Sequence, residues 1–276
     1  MAWRPFSRPP VVAVLRFEGV IAARRWRGAL SLASQAAAIE RAFRLKRLAA
    51  VALVVNSPGG APAQSALLYR RIRQLADEKG VPVYAFAEDV AASGGYWLAL
   101  AGDEFYVEET SLVGSIGVVS AGFGFQRLID RLGVERRLHT AGERKSLLDP
   151  FLPENDAEVE RLAALQRDIH LSFAEHVKRR RAGKIDPADD GLFSGEVLTG
   201  RMAVARGLAD GIGELRGVMR ARFGEAVRLV PVAAERRRRW LLGRRPRPLV
   251  AGDAASLAGE IVDWLEARLI WARFGL

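Results

Sequence analysis

A serine flanked by glycines carries residue types that suit acyl-transfer chemistry. Ser93 stands in Ala92–Tyr96 (ASGGY), at a predicted strand-to-helix junction, where the positive end of the helix dipole would meet its hydroxyl. The adjacent glycines let a substrate backbone approach closely, and the amide of Gly94 could donate a hydrogen bond to an oxyanion. The pattern predicts a nucleophilic serine.

A second glycine-rich motif, Asn56–Gly60 (NSPGG), follows a predicted buried strand and precedes a predicted helix. Its turn would leave the Gly60 N–H free to point toward the same place, giving the oxyanion a second donor. The alternative is that both glycine pairs only let a helix and a strand cross at short distance. Taken singly, each motif favours that alternative.

A serine nucleophile needs a base, and the candidate is Lys145 in Ala141–Ser146 (AGERKS). Only five of the 42 basic residues are lysine, so a lysine in this place is less expected by chance. A neutral amine can take the serine proton, but a free lysine is charged at pH 7, so burial and hydrogen bonding must favour the neutral form. Considered alone, Lys145 is better interpreted as a solvated loop lysine.

Other chemistries have less support. The chain has no cysteine, which excludes disulfide frameworks, thiol nucleophiles and cysteine-based zinc sites. His170 and His176 are six residues apart rather than four, so they are interpreted as solvated or packed, and no metal site is predicted. Neither a phosphate-binding loop nor the G-x-S-x-G elbow is found. We therefore expect no cofactor.

The elements that must position these residues alternate along the chain. Hydrophobic patterns predict strands near residues 10–17, 49–55, 81–86, 104–107, 112–119 and 135–139, and helices near 34–46, 62–80, after Ser93 and over 155–181. This order predicts an α/β fold with a mainly parallel sheet covered by helices.

Basic charge is concentrated late in the chain. The net charge is +10, and residues 235–248 hold seven arginines and one glutamate. The sequence is therefore divided into a body at 1–233, an arginine-rich linker at 234–252 and an amphipathic helix at 253–276. The body is not predicted to bind nucleic acid, because most of the excess charge lies outside it.

Residues 235–276 allow more than one interpretation. Arginines followed by a helix with Trp264 and Trp271 suit peripheral contact with anionic lipid. The favoured alternative is that the helix packs on its own body or on a neighbouring protomer, and nucleic-acid binding by the arginines has less support. No signal peptide or membrane span is predicted. The expected location is the cytoplasm, with a peripheral position on the inner face of the membrane left open.

Four motifs in order resemble those of the bacterial signal peptide peptidase A family in its short, SohB-like form: residues 55–60, residues 91–96, residues 112–118 and the Lys145 loop. Residues 198–201 and 207–211 are similar to that family's ending. The resemblance covers about residues 10–230. Family members that are membrane-anchored carry an N-terminal span, and none is predicted here.

The resemblance implies a ClpP/crotonase-like fold and a serine endopeptidase with a Ser-Lys dyad. Ser93 would be the nucleophile and Lys145 the general base, while Gly60 and Gly94 would donate to the oxyanion. Ser115 would orient the lysine amine. The strand at 114–118, with Gly114, Ile116 and Gly117, would pair with an extended substrate peptide.

Assembly also follows from the resemblance, because the dyad of this family forms between neighbouring domains and this chain holds one copy. A homo-oligomeric ring is therefore expected, acting on extended, apolar peptides such as signal peptides or membrane-protein fragments. Two other classes stay open: a crotonase-type acyl-CoA protein, which would want acidic residues at the site, and a non-catalytic oligomeric scaffold.

Overall fold

The computed structural model describes residues 8–23, 29–142, 145–233 and 268–275. Its strands are β1 (Val11–Glu18), β2 (Leu48–Ser57), β3 (Val83–Ala92), β4 (Glu104–Val107), β5 (Leu112–Gly114), β6 (Val197–Thr199), β7 (Gly211–Ile212) and β8 (Arg228–Pro231). Its helices are α1 (Leu32–Ala42), α2 (Pro62–Lys79), α3 (Gly94–Ala99), α4 (Gln126–Arg131), α5 (Asp156–Arg180), α6 (Gly200–Ala205) and α7 (Leu215–Phe223), with a 3₁₀ turn at Asp190–Phe193.

The strands form one sheet in the order β6-β5-β3-β2-β1-β8, with β4 paired to β3 and β7 paired to β4. All of these pairings are parallel except that of β5 with β6. The central strand β2 (LAAVALVVNS) is buried along most of its length. Such a continuous apolar run is typical of a parallel strand covered on both faces.

Helices cover both faces of this sheet. Because successive strand residues point to opposite faces, Ala13, Leu15 and Phe17 of β1 join one core cluster with residues of α1, α2, α3 and α5. Val12 joins a second cluster with Met219 of α7. The predicted architecture, a mainly parallel sheet covered by helices, is confirmed.

Helix boundaries follow local chemistry. Pro62 opens α2, and Gly80 ends it in the left-handed conformation that glycine adopts without steric cost (φ 60°). Asn155 caps α5 by accepting hydrogen bonds from the backbone amides of Ala157 and Glu158.

Some predicted elements differ from the structure. The strand predicted near 135–139 is wrong: these residues are exposed and pair with no described strand. The strand predicted over 112–119 ends at Gly114, because Gly114 and Ser115 both have positive φ. Of the predicted terminal helix, residues 268–272 are helical, and residues 234–267 lie outside the described residues. No helix in the described part of the chain combines the length and apolarity needed to cross a membrane.

Candidate active site

Ser93 occupies a strained turn between β3 and α3. It is the N-cap of α3, with φ 52° and ψ −122°, a backbone conformation that few non-glycine residues adopt. Its N–H donates to the Gly114 carbonyl at 2.8 Å, and its carbonyl accepts from the Trp97 N–H at 3.0 Å. Both neighbouring elements therefore hold the turn, and its strain makes it a candidate functional position.

The helix behind Ser93 is anchored in the core. Five of the six residues of α3 are buried, and the Tyr96 hydroxyl donates to the Leu208 carbonyl at 2.9 Å. Burial raises the pKa of Tyr96, so its hydroxyl keeps the proton that it donates. On the partly exposed side of α3, Trp97 stacks on His176 of α5, with ring centroids 4.8 Å apart. These contacts fix the position of the serine.

The two glycine motifs meet beside Ser93. A Cβ atom built on Gly94 would lie 3.3 Å from the Gly60 nitrogen, and one built on Gly59 would lie 2.8 Å from the Ser93 Cβ. Neither the Gly60 nor the Gly94 N–H donates a backbone hydrogen bond to any described residue. Two free amides beside a serine hydroxyl are the arrangement that an oxyanion hole requires.

Close packing also requires these glycines. A Cβ on Gly95 would come within 2.4 Å of the Ser57 carbonyl oxygen, and one on Gly60 within 2.0 Å of the Ile21 carbonyl oxygen. The glycines therefore allow the close crossing of helix and strand that was one of the two interpretations. The same crossing brings the Gly60 and Gly94 amides together, so it is compatible with the other interpretation, an oxyanion hole.

A cleft of about 980 Å³ opens in front of Ser93. Gly60, Ser93, Ser115 and Gly117 line it. Its apolar lining comes from Val118, Val119, Leu162, Leu165, Ile169 and Phe193. Volume and lining fit a site for an apolar ligand with a few polar groups.

The segment after β5 is a turn whose backbone groups are already engaged. The Ser115 N–H donates to the Glu196 carbonyl at 2.7 Å, and the Gly117 N–H donates to the Ser115 carbonyl at 2.9 Å. The Ile116 carbonyl lies 3.2 Å from Nε2 of His170, while the Ile116 side chain is buried in the core. Of the predicted substrate-binding residues, Gly117 lines the cleft, whereas Gly114 and Ile116 are not among its lining residues.

Lys145 is not among the residues that line this cleft. It is exposed, and its N–H donates to the Gly142 carbonyl at 3.1 Å. The single chain thus brings together Ser93, Gly60, Gly94 and Ser115 but leaves the predicted base apart from them.

Lys145 lies in a stretch with many exposed apolar side chains, residues 119–152, which we call the apolar segment. Ten of the nineteen large hydrophobic residues that are exposed in the described chain fall within it. Its helix α4 has no buried residue. An exposed apolar surface of this kind marks an interaction site.

Sequence reasoning missed several residues of the cleft. The spacing of His170 and His176 predicts solvated or packed histidines, whereas His170 lines the cleft and contacts the turn after β5. Ile270, Arg273 and Phe274 also line it, from the far end of the chain. Their spacing of three and four was a helical signal, but no pattern linked that helix to Ser93.

In the described ranges, no cluster of three or more His, Cys, Asp or Glu side chains could hold a metal ion.

Comparison with known proteins places these features in a family. The model of peptidase family S49 matches residues 76–225. The chain is 49% identical to a Brucella abortus protein named Na(+)/H(+) antiporter NhaA, over 96% of this chain and 37% of that protein. It is 33% identical to the chloroplastic serine protease SPPA of Arabidopsis thaliana, over 74% of this chain and 31% of that protein. The chain therefore spans about a third of the length of these relatives.

A solved structure shares the fold. The 1510-N membrane-bound stomatin-specific protease, in a serine-to-alanine mutant form, superposes with a TM-score of 0.54 at 14% sequence identity, covering 82% of this chain and 99% of the other. The predicted ClpP/crotonase-like fold and the resemblance to the signal peptide peptidase A family are confirmed. The family model spans Ser93 and Lys145 and matches more than half of the sequence, so the chain belongs to peptidase family S49.

Proposed function

We propose that the chain is a serine endopeptidase in which Ser93 is the nucleophile and Lys145 of a neighbouring copy is the general base. The observation that carries the proposal is the strained Ser93 turn beside two free amides, at the floor of an apolar cleft. Membership of a peptidase family supports the reaction class.

The reaction is an acyl transfer through Ser93. Its oxygen adds to the peptide carbonyl carbon while the neutral Lys145 amine takes the hydroxyl proton. The Gly60 and Gly94 amides stabilise the resulting oxyanion. Collapse expels the leaving amine, which takes the proton from the lysine, and leaves an ester on Ser93. Water then hydrolyses that ester, with Lys145 again acting as the base.

Supply of the base by a neighbouring copy accounts for two features together. Lys145 is exposed in the single chain, and the apolar segment around it is uncovered. Contact between copies in a ring would bury both the lysine and the apolar side chains. Ser115, which lines the cleft near Ser93, would then orient the incoming amine.

The cleft supports extended, apolar peptides as substrates, with signal peptides and membrane-protein fragments as the class. The alternative of a crotonase-type acyl-CoA protein has less support, because the described cleft lining includes no acidic side chain. A non-catalytic scaffold would leave the free amides and the strained serine without a use.

Contact with a membrane is a separate proposal for this chain. The position proposed is the cytoplasm, with a peripheral contact on the inner face of the membrane; a structural neighbour named as membrane-bound supports the contact with a membrane. The arginine run at 235–248 would supply the contact with anionic lipid. Sedimentation with anionic vesicles at low and high salt tests it: binding that salt abolishes is expected, and equal recovery with neutral vesicles would contradict it.

Labelling with a fluorophosphonate, mapped to a residue by mass spectrometry, tests the nucleophile. We expect the label on Ser93, and loss of labelling and hydrolysis in Ser93→Ala. Ser120→Ala is the matched control, because Ser120 lines the same cleft and is exposed. Labelling at another serine, or hydrolysis by Ser93→Ala at the normal rate, would contradict the assignment. Activity should also rise toward alkaline pH, since the base acts in its neutral form.

A further inference from the structure

Residues 268–275, which we call the terminal segment, border the cleft of Ser93. Ile270, Arg273 and Phe274 line the cleft, and Ile270 and Phe274 are half-buried. These positions are separated by three and four residues, so they lie on one side of a helical turn. Leu269 is 64% exposed and does not line the cleft.

The terminal segment forms a wall of the cleft and does not fill it. With the segment in place, the cleft still measures about 980 Å³, at the upper end of the roughly 300–1,000 Å³ typical of small-molecule sites. Ile270 and Phe274 face the same space as Leu162, Leu165 and Ile169 of α5. Apolar surfaces from two distant parts of the chain therefore bound one substrate-sized space in front of Ser93.

The charge of the lining is one-sided. The cleft has two arginines, Arg167 and Arg273, and no acidic residue among those described. Arg167 is already paired, because its Nη2 donates to Glu160 Oε1 at 2.6 Å. Arg273 forms no ion pair with any residue in the described ranges. Among the residues that the structure describes, the apolar cleft thus presents one guanidinium without an ion-pair partner, a group that binds carboxylates well.

We propose that the terminal segment is part of the substrate site and that Arg273 determines specificity by binding a carboxylate of the apolar peptide. The proposal rests on the peptidase function assigned to Ser93. The carboxylate has two sources: the free C-terminus of a peptide fragment, or an Asp or Glu side chain. A basic residue at the same place would be repelled.

Binding to the full chain carrying Ser93→Ala tests the carboxylate without turnover. Three fluorescent peptides share one apolar sequence: the first has a free C-terminal carboxylate, the second an amidated end, and the third an amidated end with one internal Asp. Fluorescence anisotropy should show about three- to tenfold tighter binding of at least one carboxylate peptide than of the amide, the size expected of a partly solvated ion pair. Which of the two is favoured identifies the source.

The role of Arg273 is tested by variants in the same background. Arg273→Gln should reduce the ratio of affinities for the carboxylate and amide peptides to about onefold, and Arg273→Lys should keep part of this preference. Arg268→Gln, outside the cleft lining, should leave the preference unchanged. Higher salt should weaken the discrimination. The proposal would be overturned if Arg273→Gln kept the full preference for the carboxylate peptide, or if the Ser93→Ala chain with Arg273 intact showed no preference. Phosphonate labelling of Ser93 in the natural chain is scored separately, so that failure of the peptidase assignment is recognised independently.

The position of the wall is tested with a thiol, because the chain has no cysteine of its own. Ala163→Cys places the thiol at the cleft on α5, and Ala164→Cys places it on the exposed side of the same helix. Adding Ile270→Asp with Phe274→Asp should speed maleimide labelling severalfold at position 163 and leave position 164 unchanged. Leu269→Asp is the control for charge in the segment. An unchanged rate at position 163 would show that the segment does not border the cleft.

Discussion

The surroundings of Ser93 and those of Lys145 differ in almost every physical respect. Ser93 lies between a buried strand and a helix with five buried residues, and hydrogen bonds hold its backbone on both sides. Lys145 is exposed, in a segment that contains a helix with no buried residue. Under the proposed function, one chain therefore holds the nucleophile and the oxyanion donors, whereas the buried surroundings of the lysine base would come from a neighbouring copy.

This difference is the reason for proposing that the catalytic work is divided between copies. Preorganised donors cost no reorganisation during reaction, and the core of a single chain holds the two amides proposed for this role. A lysine base must be desolvated to act, and the apolar segment offers the surface whose burial in an assembly would desolvate it. The predictions below alter one side of this comparison at a time.

The largest expected effect is the loss of hydrolysis when either member of the dyad is removed. Ser93→Ala and Lys145→Met should each lower kcat by about 10³-fold or more, and the double variant should be no worse than the singles, because the two groups act as a unit. Steady-state kinetics on an apolar peptide measures the effect. Lys46→Met, at another exposed lysine, should keep full activity. Additive losses would show that the two residues act independently.

Changes in the apolar segment should break assembly and leave the fold of each chain intact. Leu128 and Leu132 on and after α4 are 53% and 67% exposed, so Leu128→Asp with Leu132→Asp costs little in the isolated chain. Burying these charges between copies is unfavourable, and sedimentation velocity should show dissociation together with loss of hydrolysis.

Met202→Asp is the control for that double variant, because Met202 is 45% exposed on α6, outside the apolar segment. It should leave assembly unchanged. Full activity in a monomeric double variant would show that the site is complete within one chain.

The Ser93 side of the comparison predicts a loss of stability. Gly60 has φ 138°, and an added Cβ would meet the Ile21 carbonyl oxygen at 2.0 Å. Gly60→Ala should therefore lower the free energy of unfolding by about 2–3 kcal/mol and misplace one oxyanion donor. Gly122→Ala, where nothing lies within 4 Å of the added atom, should unfold at the normal denaturant concentration. Equal losses of unfolding free energy in Gly60→Ala and Gly122→Ala would contradict the close approach of Gly60 to the Ile21 carbonyl oxygen.

A smaller effect should appear in the pH dependence of stability. Burial, reinforced by the positive charges of Arg179 and Arg180, lowers the pKa of His176 from 6.5 to about 3. Between these values the unfolded chain binds a proton that the folded chain does not, so stability should fall as pH drops, by at most about 1.4 kcal/mol per pH unit.

His176→Gln should flatten that pH dependence between pH 6 and pH 4, measured by urea unfolding. His139→Gln, at an exposed histidine, is the control and should keep the slope. If the free energy of unfolding of His176→Gln changed with pH as steeply as that of the natural chain between pH 6 and pH 4, His176 would not be the cause of that dependence.

Asp210 acts at lower pH: burial opposes its ionisation, but hydrogen bonds from Arg181 and Lys184 outweigh burial and lower its pKa. Its contribution to stability is therefore lost only below about pH 4.

Local chemistry made the placement of the Ser93 and Gly60 motifs predictable from sequence. Pro62 and Gly80 mark the ends of α2, and the apolar runs mark β1, β2 and β3, so the Gly60 and Ser93 motifs could be placed after neighbouring strands. Parallel strands then bring their following loops to one edge of the sheet. These elements form because their apolar residues are buried in the core, and those residues are visible in the sequence as apolar runs.

The remaining features depend on contacts that no local pattern encodes. The sequence predicts a strand near 135–139, but that stretch pairs with no strand among the described residues. Ile270 and Phe274 have helical spacing, but no local pattern links them to a cleft formed by residues far earlier in the chain. The proposed burial of Lys145 would depend on the surface of a neighbouring copy, which no local sequence pattern describes.

Mixing two inactive variants tests the division between copies most directly. Purified Ser93→Ala and Lys145→Met proteins are combined under conditions that exchange subunits, and hydrolysis of an apolar peptide is followed as mixed assemblies form. Some neighbouring pairs then hold an intact serine and an intact lysine, so we predict that activity returns to a fraction of the natural level, while each variant alone stays inactive. Mixed assemblies that form, as shown by mass spectrometry of tagged chains, and yet stay inactive would contradict the account.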